Sequence, residues 1–156
     1  MASVTSMLRL VLYQPDIPQN LGAMLRLSAC MGCEVHVVEP CGFPLNAQKL
    51  KRAGMDYIEK AHMQTHLNWQ QFLAYRETNP GRLLLLETDG DCRYTDMAFA
   101  ASDYVVLGRE SAGTPRELYA LMDTLLFIPM REGVRSLNVA MAAGMLVAEA
   151  CRQMGK

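Results

Sequence analysis

The sequence predicts an α/β domain with a mostly parallel sheet flanked by helices. Short apolar runs of strand length recur along the chain, stretches with helical start and stop signals stand between them, and strands alternating with helices in this way build parallel sheets. LRLVLY (8–13) reads as a buried strand, and QPDIPQN (14–20) as a turn-rich loop with two prolines. A helix is expected from about Leu21, with Asn20 as N-cap and Gly32 as C-terminal stop. EVHVVE (34–39) is the second strand, and Asn46 can cap a short basic helix through Ala53. Residues 54–67 are ambiguous. NWQQFLAYRET (68–78) reads as an amphipathic helix, with Asn68 and Gln71 at capping-box spacing and Asn-Pro-Gly ending it. RLLLLET (82–88) and DYVVLG (103–108) are further strands. Thr114-Pro-Arg-Glu117 combines a capping Thr, a first-turn Pro and a Glu three residues after the cap, which predicts a helix start. LLFIP (125–129) is the last strand, and the last helix is expected from Ser136 onward.

Length and composition fit one globular domain: 156 residues, 51% apolar and 20% charged. Residues 1–7 read as a short flexible extension that lacks a secretory pattern, and 8–156 as the domain. No apolar run approaches the roughly 18 residues of a membrane span, so no membrane partner is expected. Five cysteines in irregular spacing suit reduced thiols in the cytoplasm rather than a disulfide framework. Cys30-Met-Gly-Cys33 straddles the expected helix end at Gly32, which argues against a redox pair. His36, His62 and His66 lack metal-ligand spacing, and no metal is expected. Net charge is −1, which excludes a global basic footprint for nucleic acid. The clusters Lys49/Lys51/Arg52 and Arg131/Arg135 are local, and each taken alone reads as a solvated face.

Ligands of such sheets bind at the carboxyl ends of the strands. The dinucleotide fingerprint, the P-loop and the nucleophile elbow are all missing from the sequence. Three similar loops remain, LETDGD (86–91), LGRESAG (107–113) and IPMREGVRS (128–136). Their glycines allow close backbone approach, so they can hold a flat hydrogen-bonding ring such as adenine, or they are ordinary βα turns. The last helix adds a second feature. Val139 to Ala148 are all apolar, with Ala140, Ala142, Ala143 and Gly144 small. A helix without a wet face needs covering on every side, and a homodimer is the economical cover.

Three motifs at these places resemble the trefoil-knotted SPOUT methyltransferases, in their SpoU-like branch: Asn20-Leu-Gly-Ala-Met-Leu-Arg26, Leu107-Gly-Arg-Glu-Ser-Ala-Gly113 and Ile128-Pro-Met with Ser136-Leu-Asn138. LYQPDIPQNLGAMLRL, EPCGFPLNAQKLKRAGMDY and AEACRQMG further resemble the single-domain tRNA (cytidine/uridine-34 2′-O)-methyltransferase family.

The resemblance implies a C-terminal trefoil knot, a homodimer and S-adenosyl-L-methionine held in the knotted loops, without a metal. It implies 2′-O-methylation of the wobble nucleotide of leucine tRNAs, cytidine 34 or 5-carboxymethylaminomethyluridine 34. Alternatives are another RNA position, or a non-catalytic RNA-binding dimer of the same fold. Leu86, Gly108, Ile128 and Ser136 fall at cofactor-binding positions, with Met130, Leu137 and Asn138 adjacent. Arg26 and Asn20 are the catalytic candidates. A guanidinium is a permanent cation, so Arg26 is expected to hold the target phosphate and stabilise developing alkoxide charge. Glu110, whose pKa no residue obviously raises, is expected to organise its loop rather than act as a base, and Gly113 to support the same loop. With tRNA as partner, Lys49, Arg52, Arg131 and Arg135 are its contact candidates. Arg109 stands where close relatives often carry Pro, and Ala148 where an aromatic is expected.

Overall fold

A computed structural model describes residues 7–52 and 57–156. The strands are β1 (Arg9–Tyr13), β2 (Glu34–Val38), β3 (His62–His66), β4 (Leu83–Leu86), β5 (Cys92–Arg93), β6 (Tyr104–Leu107) and β7 (Thr124–Phe127). They form one seven-stranded sheet in the order β3-β2-β1-β6-β4-β7-β5, and every pairing is parallel. β5 is not expected from the sequence; two residues carry no periodicity. β3 falls in the stretch that the sequence leaves ambiguous.

Both faces of the sheet are covered. Leu10, Leu12, Val35, Val37, Leu84, Val105 and Leu107 point to one face and pack with α1 (Pro18–Met31), α2 (Ala47–Arg52) and α4 (Val139–Met154). Their strand neighbours Val11, Val38, Leu83, Leu85, Tyr104 and Val106 point to the other, under α3 (Trp69–Thr78) and a 3-10 helix at Arg116–Leu121. Alternating side-chain direction with apolar residues at both positions is what a sheet without a wet face requires.

Several ends differ from the sequence reading. α1 starts at Pro18, with Ile17 at the cap position and no side-chain cap; a proline in the first turn sets the start earlier than Asn20. Asn68 does cap α3, accepting from Gln71 N at 2.9 Å. Asn46 caps α2 by accepting from Gln48 N at 2.9 Å, while Ala53 lies outside the described residues. Thr114 caps nothing. Pro115 stands at the cap position of the 3-10 helix, and the buried Thr114 Oγ1 has no partner. Of the expected N-terminal extension, Met7 is buried in the core, and residues 1–6 lie outside the described residues.

Structural polar contacts tie loops together at the amino ends of the strands. The Arg9 guanidinium lies 3.7 Å from the Tyr104 ring centroid and donates to the carbonyls of Asn79, Pro80 and Ser102. Arg82 forks onto the fully buried Asp103 at 2.8 and 2.7 Å. Under α3, His36 and His66 form a buried pair, Nδ1 to Nε2 at 3.0 Å, and His36 Nε2 meets Glu34 Oε2 at 3.0 Å. The carboxylate requires His36 Nε2 to donate, and with both rings neutral Nδ1 accepts from His66 Nε2–H.

Burial holds both histidines below the ordinary value of 6.5; the Glu34 contact opposes this at His36, and the neighbouring His36 adds to it at His66. The unfolded chain therefore binds more protons as pH falls below about 6.5. The histidines' contribution to stability is complete above that pH and is lost below it. Denaturant midpoints should fall from pH 7.5 to pH 5, with a shallower fall in His66→Gln. Equal slopes for the two proteins would place the acid lability elsewhere.

Candidate active site

β6, β4 and β7 are adjacent in the sheet, so the three loops leaving their carboxyl ends are brought side by side. With the start of α1 they enclose a cavity of about 530 Å³, within the range for a small-molecule site. All seven predicted cofactor positions line it: Leu86, Gly108, Ile128, Met130, Ser136, Leu137 and Asn138. So do Glu110, Gly113, Asn20 and Arg135. Ile17, Glu87 and Thr88 also line it and are not singled out individually from the sequence. Glu87 and Thr88 lie in the strand-end loop ETDGD, so position in the fold was the signal available for them.

The loop after β6 is a tight hairpin. Arg109 and Gly113 exchange backbone hydrogen bonds at 3.1 and 2.8 Å, and Gly113 has φ +65°, a conformation that disfavours side chains. Gly108 packs so closely on the returning strand that a Cβ there would lie 2.5 Å from Thr114 Oγ1 and 2.8 Å from Gly113 C. The loop after β7 runs on to Asn138, which caps α4 by accepting from Ala140 N at 2.9 Å and Met141 N at 3.2 Å. The expected helix start at Ser136 is thus corrected, because the cap belongs to the side chain that reaches the first free amides.

Asn20 is 6% exposed and lies in the first turn of α1. Its side chain ties two of the loops together: Nδ2 donates to Glu110 Oε1 at 3.2 Å, and Oδ1 accepts from Asn138 Nδ2 at 3.0 Å. Glu110 Oε2 also accepts from Asp16 N at 3.0 Å. Burial raises the pKa of Glu110, reinforced by the neighbouring Asp16. The expectation that nothing perturbs Glu110 is corrected by a residue 94 positions away in the chain.

Arg26 does not line the cavity. It lies on the exposed side of α1, with its guanidinium 4.6 Å from the Tyr57 ring centroid. Six residues separate it from Asn20, which places the two about 120° apart around a helix. Within one chain, then, the two catalytic candidates do not converge. Arg131 is exposed and outside the lining, whereas Arg135 is exposed at the wall. The side chains of Lys49 and Arg52 lie outside the described residues. Among the described residues, no group of three His, Cys, Asp or Glu side chains could hold a metal.

Exposed apolar side chains occur on the cavity wall, at Ile17 by the start of α1 and Leu137 in the last loop, and on α4, at Met141 and Met145. The inner face of α4, with Ala142, Ala143, Leu146, Val147 and Ala150, is buried. The outer face carries Met141, Met145 and Ala148 into solvent.

Residues 7–148 match the SpoU rRNA Methylase family. A tRNA (cytidine(34)-2'-O)-methyltransferase from Beijerinckia indica is 47% identical over 94% of this chain and 91% of its own. One of the same name from Ancylobacter novellus is 46% identical over 95% and 94%. A solved structure of a protein studied for 2-OH methylation of C/U34 on tRNA superposes with a TM-score of 0.87, at 41% identity, covering 96% of this chain and 97% of its own. The SpoU methyltransferase AviRb from Streptomyces viridochromogenes, in complex with AdoMet, shares the fold with a TM-score of 0.86 at 24% identity, covering 96% and 61%. The expected SPOUT α/β architecture is therefore that of this chain.

Gly108→Ala forces the hairpin away from Thr114. It should lower stability by about 1–3 kcal/mol, whereas Gly144→Ala, where a Cβ meets nothing within 4 Å, should not. Denaturant unfolding of both variants reads this, and equal midpoints would show that the close approach at Gly108 does not constrain the hairpin.

Proposed function

This chain belongs to the SpoU rRNA Methylase family, and on that basis we propose that it methylates the 2′-hydroxyl of the wobble nucleotide of tRNA. Cytidine 34 or 5-carboxymethylaminomethyluridine 34 of leucine tRNAs is the target, S-adenosyl-L-methionine the methyl donor, and the cytoplasm the compartment. The observation that carries the reading is the convergence of Leu86, Gly108, Ile128, Met130, Ser136, Leu137 and Asn138 on one cavity. Relatives named for cytidine 34 support the substrate.

The cavity suits the donor chemically. Leu86, Leu107, Ile128 and Ala142 supply apolar wall for a flat ring, the close approach at Gly108 bares backbone, and Glu87 and Glu110 offer carboxyls near a cationic ligand. When bound, the donor supplies an electrophilic methyl group on a sulfonium. Asn20 and Asn138 hold the loops around it, Gly113 with Glu110 supports the hairpin, and the protein aligns oxygen, carbon and sulfur. Arg26 grips the target phosphate and stabilises charge developing on the ribose oxygen. Tyr57 beneath it supports the guanidinium as a cation–π platform. Arg131, Arg135, Lys49 and Arg52 contact the tRNA backbone.

The active unit is a homodimer. Arg26 outside its own cavity and the exposed stripe of Met141, Met145 and Ala148 both support this. A second copy covers the stripe and brings basic side chains to each cavity. The small Ala148 lets the partner approach closely. The three adjacent strand-end loops form a trefoil knot, as the family fold implies.

Labelled S-adenosylmethionine, offered with leucine tRNA carrying ribose or 2′-deoxyribose at position 34, should label the ribose form alone. The tRNA comes from a strain lacking this gene. Arg26→Ala should lower the rate on the order of 10²-fold. No label in either tRNA, despite donor binding, would move the target to another RNA position. Met141→Asp should sediment as a monomer with little transfer. A monomeric, fully active wild-type protein would remove the dimer from the reading.

A further inference from the structure

Asp16 lies in the loop between β1 and α1, outside the cavity wall, yet it is bound to the loop after β6. Its backbone N–H donates to Glu110 Oε2 at 3.0 Å, and its Oδ2 accepts from the Ser111 hydroxyl. Its other carboxylate oxygen, Oδ1, is buried with no hydrogen-bond partner. Gly42 packs against it from behind: a Cβ there would lie 2.7 Å from Asp16 Cβ and 2.9 Å from Cα. Asp16 therefore has little room to turn away.

The donor directions around Glu110 follow from backbone chemistry. Ala140 N and Met141 N can only donate, so Asn138 turns Oδ1 toward them and Nδ2 toward Asn20. Asn20 must then present Oδ1 to Asn138 and Nδ2 to Glu110. Each Glu110 oxygen thus receives one N–H, from Asn20 on Oε1 and from Asp16 on Oε2. A carboxylate oxygen accepts more than one hydrogen bond, so a lone pair is still free to carry a proton. Asp16 Oδ1 is the buried acceptor in the same group that lacks a donor. An unsatisfied buried oxygen is costly, and a carboxyl proton between the two residues removes that cost.

We propose that Asp16 and Glu110 share one proton, and that Asp16 is a positioning residue for the methyl transfer. It acts through Glu110, holding that carboxyl where it accepts from Asn20 and so keeping the loop after β6 on the cavity wall. The methyl-transfer part of the proposal rests on the function proposed above. Burial, reinforced by Asp16, pushes Glu110 upward, while the neighbouring Glu110 and Ser111 side chains hold Asp16 below the ordinary carboxylate range, so the two acids are unequal. The groups around the pair do not supply that proton. Burial pushes the nearby Cys41 thiol up to about 12, with Glu39 adding to the effect. Arg109 and Arg135 are cations on the cavity wall.

Carbon-13 NMR of the side-chain carboxyls in the full-length protein tests the pair directly. Glu110 should titrate above the ordinary glutamate range in the wild type and move to lower pH in Asp16→Asn, which keeps the backbone donor to Glu110. The same variant should lower kcat about tenfold or more, with a much smaller change in KM for S-adenosylmethionine. The pH dependence of kcat should move in the direction of the NMR midpoint. Glu110→Gln, which has one acceptor for two donors, should weaken S-adenosylmethionine binding as well. An ordinary Glu110 midpoint, or the same midpoint with Asn at 16, overturns the proposal while leaving methyl transfer standing. A shared proton in a protein that binds S-adenosylmethionine but methylates no tRNA overturns the reaction and leaves the pair.

Discussion

A parallel sheet covered on both faces has no wet surface on which to place polar chemistry. In this chain apolar residues fill both sides of the central strands, so working polar groups are expelled to the strand ends. The two ends are then used differently. At the amino ends Arg9 and Arg82 donate to loop carbonyls and the buried Asp103, tying that edge together with structural hydrogen bonds. At the carboxyl ends the loops after β4, β6 and β7 stay apart around a cavity. The order of the strands makes this possible, because β6, β4 and β7 are neighbours although separated in the chain.

What keeps those loops in register is a short directional chain of side chains. It begins at the free amides of α4, passes through Asn138 and Asn20, and ends at Glu110 and Asp16. Each link leaves the next side chain one favourable orientation. A bridge of this kind spans 118 residues between Asn20 and Asn138 and 90 between Asn20 and Glu110. It joins the first helix, the β6 hairpin and the last helix into one wall. The outer stripe of α4 and the Arg26 face of α1 remain open in the single chain, which is why a second copy belongs to the functional reading.

The expected cofactor positions came from the resemblance to the SPOUT methyltransferases, residue by residue, and what the fold adds is that these positions line one cavity. At Gly108 a local backbone demand stands beside the resemblance, because the chain returns close upon itself there. Helix ends were legible where one side chain decides them, as Asn68 and Asn46 do. They were misread where two candidates compete within a few residues. Pro18 starts α1 ahead of Asn20, and Asn138 caps α4 instead of Ser136. The choice there depends on which side chain finds another partner: Asn20 is free to bridge the loops because the proline turn has already started the helix.

The α/β class and the strand-end location of the candidate loops follow from apolar periodicity and from glycine and proline chemistry near each residue, whereas the individual wall positions followed from the resemblance to a known family. Tertiary structure alone decided what surrounds Glu110, where Arg26 stands relative to the cavity, and how the buried His36–His66 pair is satisfied. The physical reason is range. Backbone propensity acts over a few residues, whereas desolvation and side-chain hydrogen bonds depend on partners that the fold brings from distant parts of the chain.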